Sequence, residues 1–166
     1  MNMLLSALDK WDGKSADYLM TVYVQFSEKN NFLCSLIDVI VLTRYQKGST
    51  WLINHWLSNG GKLSRLGTEN LIDSLVLLEE WESKLHVLQS FQYLLFPDSK
   101  KTELESFILT SLSEKNRFVR AWAYNSYHLL SKRFPEYRDD AIKALEIGLR
   151  DESASVKARI RNVLKK

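Results

Sequence analysis

The segment best suited to binding chemistry alternates basic and aromatic side chains. Its members, in chain order, are Arg117, Arg120, Trp122, Tyr124, Tyr127 and His128. Guanidinium groups pair with phosphates and carboxylates, and aromatic rings stack on nucleobases or pack against a peptide. On a helix, Arg120 and Tyr124 share one stripe with the Tyr127–His128 pair. This pattern predicts either a binding groove or aromatic packing between neighbouring helices, and packing is the favoured interpretation.

Residues suited to catalysis or metal binding are few and scattered. The three histidines fall in different parts of the chain: His55, His86 and His128. None has the HExxH spacing or the cysteine-rich surroundings of a zinc site. Glu82 and His86 are four residues apart and could share a metal ion on a helix, but two ligands seldom hold one. The sequence predicts no enzyme, no metal site and no cofactor.

The composition favours a helical protein. The 166 residues include 45% hydrophobic residues, enough for a core, but only 6 glycines and 2 prolines, fewer than the many tight turns of an all-β protein need. Cys34 is the single cysteine and lies in an apolar run, which predicts a buried thiol and a reduced, cytoplasmic setting. No apolar run approaches the roughly 20 residues that span a bilayer, so no membrane partner is expected.

The charge is unevenly distributed along the chain. Residues 115–166 carry a net charge of +7, whereas residues 1–114 carry −4. Such asymmetry can mark a surface for nucleic acid or for an acidic partner. A solvated, basic helix at the end of the chain explains it equally and is the favoured interpretation.

Helices must position these side chains, because apolar residues recur at helical spacing along most of the chain. Four predicted pairs occupy residues 15–46, 66–96, 99–134 and 137–165, with residues 48–65 as an insertion. In the first pair, Ser15 caps one helix and a second runs from Phe32 to Gln46. The basic and aromatic segment lies on a helix from about Asn116 to Phe134. The whole chain is thus predicted to form one all-α domain.

The spacing of these helices indicates a repeat. An acidic residue followed five positions later by a branched aliphatic residue occurs at four places: Glu28 with Leu33, Glu80 with Leu85, Glu114 with Val119, and Asp151 with Val156. The last three aliphatic positions are 34 and 37 residues apart, whereas the first precedes the second by 52 residues. One helical pair cannot bury its apolar face alone, so a period in the thirties predicts a stack of pairs.

These residues resemble the HEAT-repeat family, whose second helix opens with Asp-x-x-x-x-Val-Arg followed by Ala and Leu. The matching residues are Asp151, Val156, Lys157 and Ile160 in one repeat, and Glu114, Val119, Arg120, Ala123 and Leu130 in another. The resemblance weakens towards the N-terminus, because His86 after Leu85 and Cys34 after Leu33 replace the basic residue of the pattern. It therefore covers residues 66–166 well and residues 15–46 poorly. It implies a short right-handed α-α superhelix of about four helical pairs.

The resemblance also implies a ladder of polar contacts between neighbouring repeats. In that family the acid at the turn within each pair often binds the basic residue after the aliphatic one. Arg120 and Lys157 are placed for such contacts, with Asp151 and Glu114 as their partners. A structural role for Arg120 is favoured over a ligand-binding one.

The function expected from this architecture is a non-catalytic interaction module that binds a protein or peptide along its second helices. The candidate binding residues are Trp81, His86, Arg117, Arg120, Tyr124, Tyr127, His128, Lys157 and Arg161. The alternative is a nucleic-acid-binding protein that uses a basic concave surface in the C-terminal half. Some helical-repeat proteins resembling HEAT solenoids bind damaged DNA in this way, which gives the alternative a DNA alkylation-repair precedent.

Overall fold

The structure, a computed structural model, describes residues 2–165, which form helices and connections without a strand. The ten α-helices of this region are α1 (Asn2–Asp9), α2 (Ala16–Phe26), α3 (Phe32–Val39), α4 (Thr43–Ser58), α5 (Arg65–Asp73), α6 (Trp81–Ser90), α7 (Lys101–Leu112), α8 (Arg117–Arg133), α9 (Arg138–Asp151) and α10 (Ala154–Leu164). The predicted all-α class is therefore confirmed. None of these helices is long and apolar enough to cross a membrane.

Local signals set several helix ends as the sequence predicts. Ser15 accepts a hydrogen bond from the Tyr18 backbone N–H at the start of α2, and Asn116 accepts one from Phe118 at the start of α8. Such caps satisfy backbone donors that have no partner within the helix. At the other end of α8, Pro135 follows Phe134 and disfavours helical geometry at that residue. The basic and aromatic segment consequently lies on one continuous helix.

The predicted helix from Phe32 to Gln46 is wrong, because α3 ends at Val39 and a new helix begins at Thr43. The break carries neither glycine nor proline. A buried side chain stabilises it instead, since Gln46 Nε2 donates to the Ile40 carbonyl oxygen at 3.1 Å. The segment 48–65, predicted to be an insertion, holds most of α4. That helix ends before Gly60, whose φ of +90° favours glycine.

Two smaller predictions also differ from the structure. Helix α6 ends at Ser90, and a 3-10 turn rather than a continued helix leads towards Phe96. The Cys34 thiol is exposed, because its neighbours Ser35, Leu36 and Ile37 provide the buried face of α3.

The even-numbered helices from α4 to α10 contact one another in sequence: α4 packs on α6, α6 on α8, and α8 on α10. They begin 38, 36 and 37 residues apart, so the period extends through α4. The 52-residue interval in the sequence arose because Leu33 lies on α3 and is not the counterpart of Leu85 on α6. Helices α1 and α2 pack against α4 at the N-terminal end of this series.

Most buried apolar side chains form one cluster that runs from α1 to α9. A second, smaller cluster joins α8, α9 and α10 and contains Ala121, Tyr124, Leu145, Val156 and Ile160. Gly148 permits this contact, since a Cβ atom there would lie 2.6 Å from Ile160 Cδ1 and 2.7 Å from Tyr124 Cζ. The α8 helix is thus enclosed by helices on several sides, which leaves one face for a site.

Candidate functional site

Arg120 links the turn between α7 and α8 to the turn between α9 and α10. Its Nη1 donates to the carbonyl oxygens of Glu114 and Lys115 at 2.8 and 2.9 Å. Its Nε and Nη2 donate to both carboxylate oxygens of Glu152, at 2.7 and 3.0 Å. The two side chains are only 21% and 12% exposed, so the pair is shielded from bulk water. All of the polar contacts of Arg120 are therefore structural ones.

Equivalent contacts occur on the other even-numbered helices. We call Gln46, Lys84, Arg120 and Lys157 the polar ladder; they are 38, 36 and 37 residues apart. Lys84 forms an ion pair with Glu114, and Lys157 Nζ donates to the Arg150 carbonyl oxygen at 2.8 Å. Gln46 Nε2 donates to the carbonyl oxygen of Leu77 at 2.7 Å, and its Oε1 accepts from the Glu79 backbone N–H. Gln46, Lys84 and Arg120 thus tie their helices to the connections before the next even-numbered helices, and Lys157 ties α10 to the end of α9.

A ladder of polar contacts exists, but none of the predicted ion pairs forms, because Glu114 pairs with Lys84 and Lys157 binds the Arg150 carbonyl oxygen. Glu152 rather than Asp151 binds Arg120, and Asp151 instead pairs with Arg150 at the surface. Lys84, not His86, is the basic residue of α6 at this position. The sequence pattern favoured Leu85 as the aliphatic marker, whereas the fully buried third residue of the helix is Ser83.

The aromatic stripe of α8 lies in the interior. Tyr124 is 6% exposed and Tyr127 only 2%. Burial raises the pKa of both phenols. His128 is half-buried, and burial followed by the nearby Lys132 lowers its pKa. Tyr124 and Tyr127 therefore pack between helices and do not line an open groove.

The remaining predicted binding residues are dispersed. Arg117 is exposed, with its guanidinium 5.2 Å from the centre of the Phe118 ring. Trp81 is 39% exposed at the start of α6, and Arg161 is exposed on α10. His86 Nδ1 lies 3.1 Å from Thr50 Oγ1, while Lys47 holds the carboxylate of Glu82. The Glu82 and His86 side chains thus have protein partners on α4.

A different set of side chains shares the uncovered side of the even-numbered helices. We call this set the open face: Lys47, Trp51 and Asn54 on α4; Glu82, His86 and Gln89 on α6; Phe118, Trp122, Asn125 and Leu129 on α8; and Ser155, Arg159 and Asn162 on α10. All are exposed or half-buried. Within each helix they are four and three residues apart, which places them on one side. From helix to helix, corresponding positions are 35, 36 and 37 residues apart.

Contacts between helices confirm that these side chains are neighbours. Lys47 Nζ lies 3.0 Å from Glu82 Oε1. The Arg159 guanidinium carbon lies 4.1 Å from the centre of the Trp122 ring, within the range of a cation–π interaction. The open face was missed from the sequence because the misplaced α3–α4 boundary hid its members on α4, which are Lys47, Trp51 and Asn54. A search for side chains repeated at 35 to 37 residues would have found it.

The charge of the open face is concentrated at its α10 end. Lys47 and Glu82 compensate each other. Burial lowers the pKa of His86 to about 4, so this ring is neutral at pH 7. Among residues 2–165, the structure shows no carboxylate paired with Arg159, whose guanidinium rests on Trp122. The face therefore presents one uncompensated positive charge, which favours an acidic group on a ligand.

The low pKa of His86 makes stability depend on pH. Burial is the main cause; the nearby Glu82 opposes it and Lys47 adds to it. The ring titrates near 6.5 in the unfolded chain and near 4 in the folded one, so between these values the unfolded chain binds the extra proton. Stability therefore rises with pH across this window, and acidification from 6.5 to 4 should cost about 2.5 kcal/mol through this ring.

Urea unfolding of the wild type and His86→Asn at both pH values measures this contribution. Asparagine retains a polar atom near the Thr50 hydroxyl but does not titrate. The variant should lose less stability on acidification than the wild type. Equal losses would show that the native ring titrates like a solvated histidine.

Comparison with known proteins identifies no relative: no family model matches the chain, and no curated protein or solved structure is significantly similar to it.

Proposed function

We propose that this chain is a non-catalytic interaction module, a short right-handed solenoid resembling HEAT repeats, which binds a protein or peptide along its second helices. The open face carries this proposal. It crosses the four even-numbered helices from α4 to α10, and its side chains are repeated at nearly constant intervals. A surface built on rigid, stacked helices provides the preorganisation that lowers the cost of binding.

The chemistry of the face suits a polypeptide ligand. Phe118 is 49% exposed on α8, one helical turn from the half-buried Trp122, and the half-buried Leu129 lies further along the same helix. Aromatic residues and arginine are enriched where proteins bind one another. Arg159 adds a charge-assisted donor beside these apolar groups. The expected ligand is therefore a peptide segment with apolar and acidic side chains.

The positive charge of the C-terminal third supports nucleic-acid binding less well. Many of its cations have protein partners: Arg120 with Glu152, Arg133 with Asp98, Lys143 with Asp140, Arg150 with Asp151, and Lys157 with the Arg150 carbonyl. Phosphate binding requires cations that are free to release counterions from the nucleic acid. A peptide is consequently the favoured ligand.

Selection of random 12-residue peptides displayed on phage, followed by fluorescence anisotropy with the selected peptides, tests the proposal. Phe118→Ala should weaken their binding about tenfold, because it removes an exposed aromatic contact of hot-spot type. Ile147→Ala is a matched control, since Ile147 is also 49% exposed but lies on α9. This variant should bind the peptides as the wild type does.

The proposal fails if no peptide is selected, or if the peptides bind Phe118→Ala and Arg159→Ala as tightly as the wild type. It also fails if mixed DNA or RNA fragments bind more tightly than any peptide, with an affinity that falls steeply with added salt.

A further inference from the structure

We infer that the open face binds the main chain of an extended peptide segment through a row of side-chain carboxamides, with an acidic side chain of that segment beside Arg159. The inference deepens the proposed function and rests on it. It specifies the conformation of the ligand, the atoms that recognise it and the orientation of its charge.

The carboxamide row consists of Asn54, Gln89, Asn125 and Asn162, one on each even-numbered helix from α4 to α10. Its members are 35, 36 and 37 residues apart, so the row has the period of the helices themselves. Asn54, Gln89 and Asn125 are half-buried and Asn162 is exposed. Carboxamides at one equivalent position of four stacked helices form a line of polar groups along the open face.

A carboxamide has the same hydrogen-bonding groups as a peptide unit. Its NH₂ donates and its oxygen accepts, so it can bind a main-chain carbonyl and a main-chain N–H together. This recognition does not depend on the side chains of the ligand. It also selects against a helical ligand, because the main-chain groups of a helix already bind one another.

The carboxamides have capacity for such bonds. For Asn125 and Asn162, the structure shows no side-chain hydrogen bond to any of the described residues. Asn54 Nδ2 reaches Gln89 Oε1 only at 3.4 Å, and Ser90 Oγ donates to Asn54 Oδ1 at 3.1 Å. The Gln89 NH₂ group has no acceptor within residues 2–165. Asn125, Asn162 and the NH₂ group of Gln89 are therefore available to a ligand, whereas both polar atoms of Asn54 already have a protein partner.

The spacing of the row fits an extended chain. Helices in contact lie about 8 to 10 Å apart. An extended polypeptide in the polyproline II conformation advances about 3.1 Å per residue and has three residues per turn, so about three residues span one interval and return to the same side. Every third residue of the ligand would then face a carboxamide. The four carboxamides would contact a segment of about ten residues.

Larger side chains lie along one side of the carboxamide row. The residue three positions before each carboxamide is, in turn, Trp51, His86, Trp122 and Arg159. These flat groups lie one helical turn away and can contact ligand side chains between successive main-chain bonds. At the α10 end, Arg159 rests on Trp122, which leaves the edge of its guanidinium free to bind a carboxylate. An acidic residue near this end of the ligand complements the uncompensated charge.

The test uses the peptides selected above, bound to the full chain. Asn125→Ala and Asn162→Ala should each weaken binding about threefold to tenfold, the value of one or two neutral hydrogen bonds. Asn70→Ala is the matched control, because Asn70 is an exposed carboxamide on α5. Thermal unfolding of each variant shows that the fold is retained, and Asn162 provides an exposed second site.

N-methylation of each main-chain nitrogen of the peptide in turn gives an independent result. Affinity should fall at positions about three residues apart and change little between them. Uniform tolerance of N-methylation, or a helical circular dichroism spectrum of the bound peptide, would overturn the inference.

If Phe118→Ala weakens binding while Asn125→Ala and Asn162→Ala do not, the proposed function stands and main-chain recognition is wrong. If neither Phe118→Ala nor Arg159→Ala weakens binding, the proposed function itself is wrong.

Discussion

Replacement of Tyr127 by alanine is expected to lower the free energy of unfolding by about 3 to 5 kcal/mol, the usual cost of removing a large buried aromatic ring. Tyr127 is 2% exposed and is among the largest fully buried side chains of the described region. Its removal would leave a cavity within the main apolar cluster. Urea unfolding at pH 7 and 25 °C, with the wild type as reference, measures the loss.

Two control variants, Tyr127→Phe and Tyr93→Ala, show whether the loss of stability comes from removing a buried ring or from removing any tyrosine. The first keeps the buried ring and should destabilise far less than alanine. The second removes a tyrosine that is 42% exposed and should lie near the wild type. A Tyr127→Ala variant with wild-type stability but without peptide binding would place this ring in a binding groove, contrary to its burial.

Arg120→Ala is expected to destabilise the protein by about 3 kcal/mol. The change leaves the largely buried carboxylate of Glu152 without its bidentate partner and removes two bonds to backbone carbonyls. For a domain of this size, the loss corresponds to a fall in Tm of about 6 to 12 °C. Differential scanning calorimetry measures the change directly.

Arg150→Ala provides a matched control for Arg120→Ala. Arg150 also binds both oxygens of a carboxylate, that of Asp151, at 2.8 and 2.9 Å. Its side chain is 73% exposed, however, and surface ion pairs contribute little to stability. This variant should leave Tm nearly unchanged. Equal Tm values for the two variants would show that the polar ladder does not stabilise the fold.

Sequence reasoning predicted the C-terminal half of the fold better than the N-terminal half. Helix α8 was predicted within a residue at each end, because Asn116 caps it and Pro135 ends it. The α3–α4 break had no such local signal. It depends on Gln46, whose amide binds Ile40 on one side and Leu77 and Glu79 on the other. A hydrogen bond between residues more than 30 positions apart does not change the local spacing of apolar residues, from which helices are predicted.

The candidate site shows the same division. The sequence singled out Arg120 and the aromatic side chains of α8, because their types suggest binding. Burial of Tyr124 and Tyr127, and the bonds of Arg120 to Glu152, are properties of packing between helices. Of the half-buried Trp122, Asn125 and Leu129 on the same helix, the sequence pattern included only Trp122. Which side of α8 remains open depends on the positions of α6, α7, α9 and α10.

The sequence alone determined that this protein is helical, where α8 begins and ends, and that a period in the thirties organises its C-terminal half. These properties follow from caps, proline stops and apolar spacing, which act over a few residues. The tertiary structure decided that α4 is the first helix of the stacked series and that the open face carries a carboxamide row. Contacts between residues about 36 positions apart decide both, because neighbouring helices determine which side chains are buried.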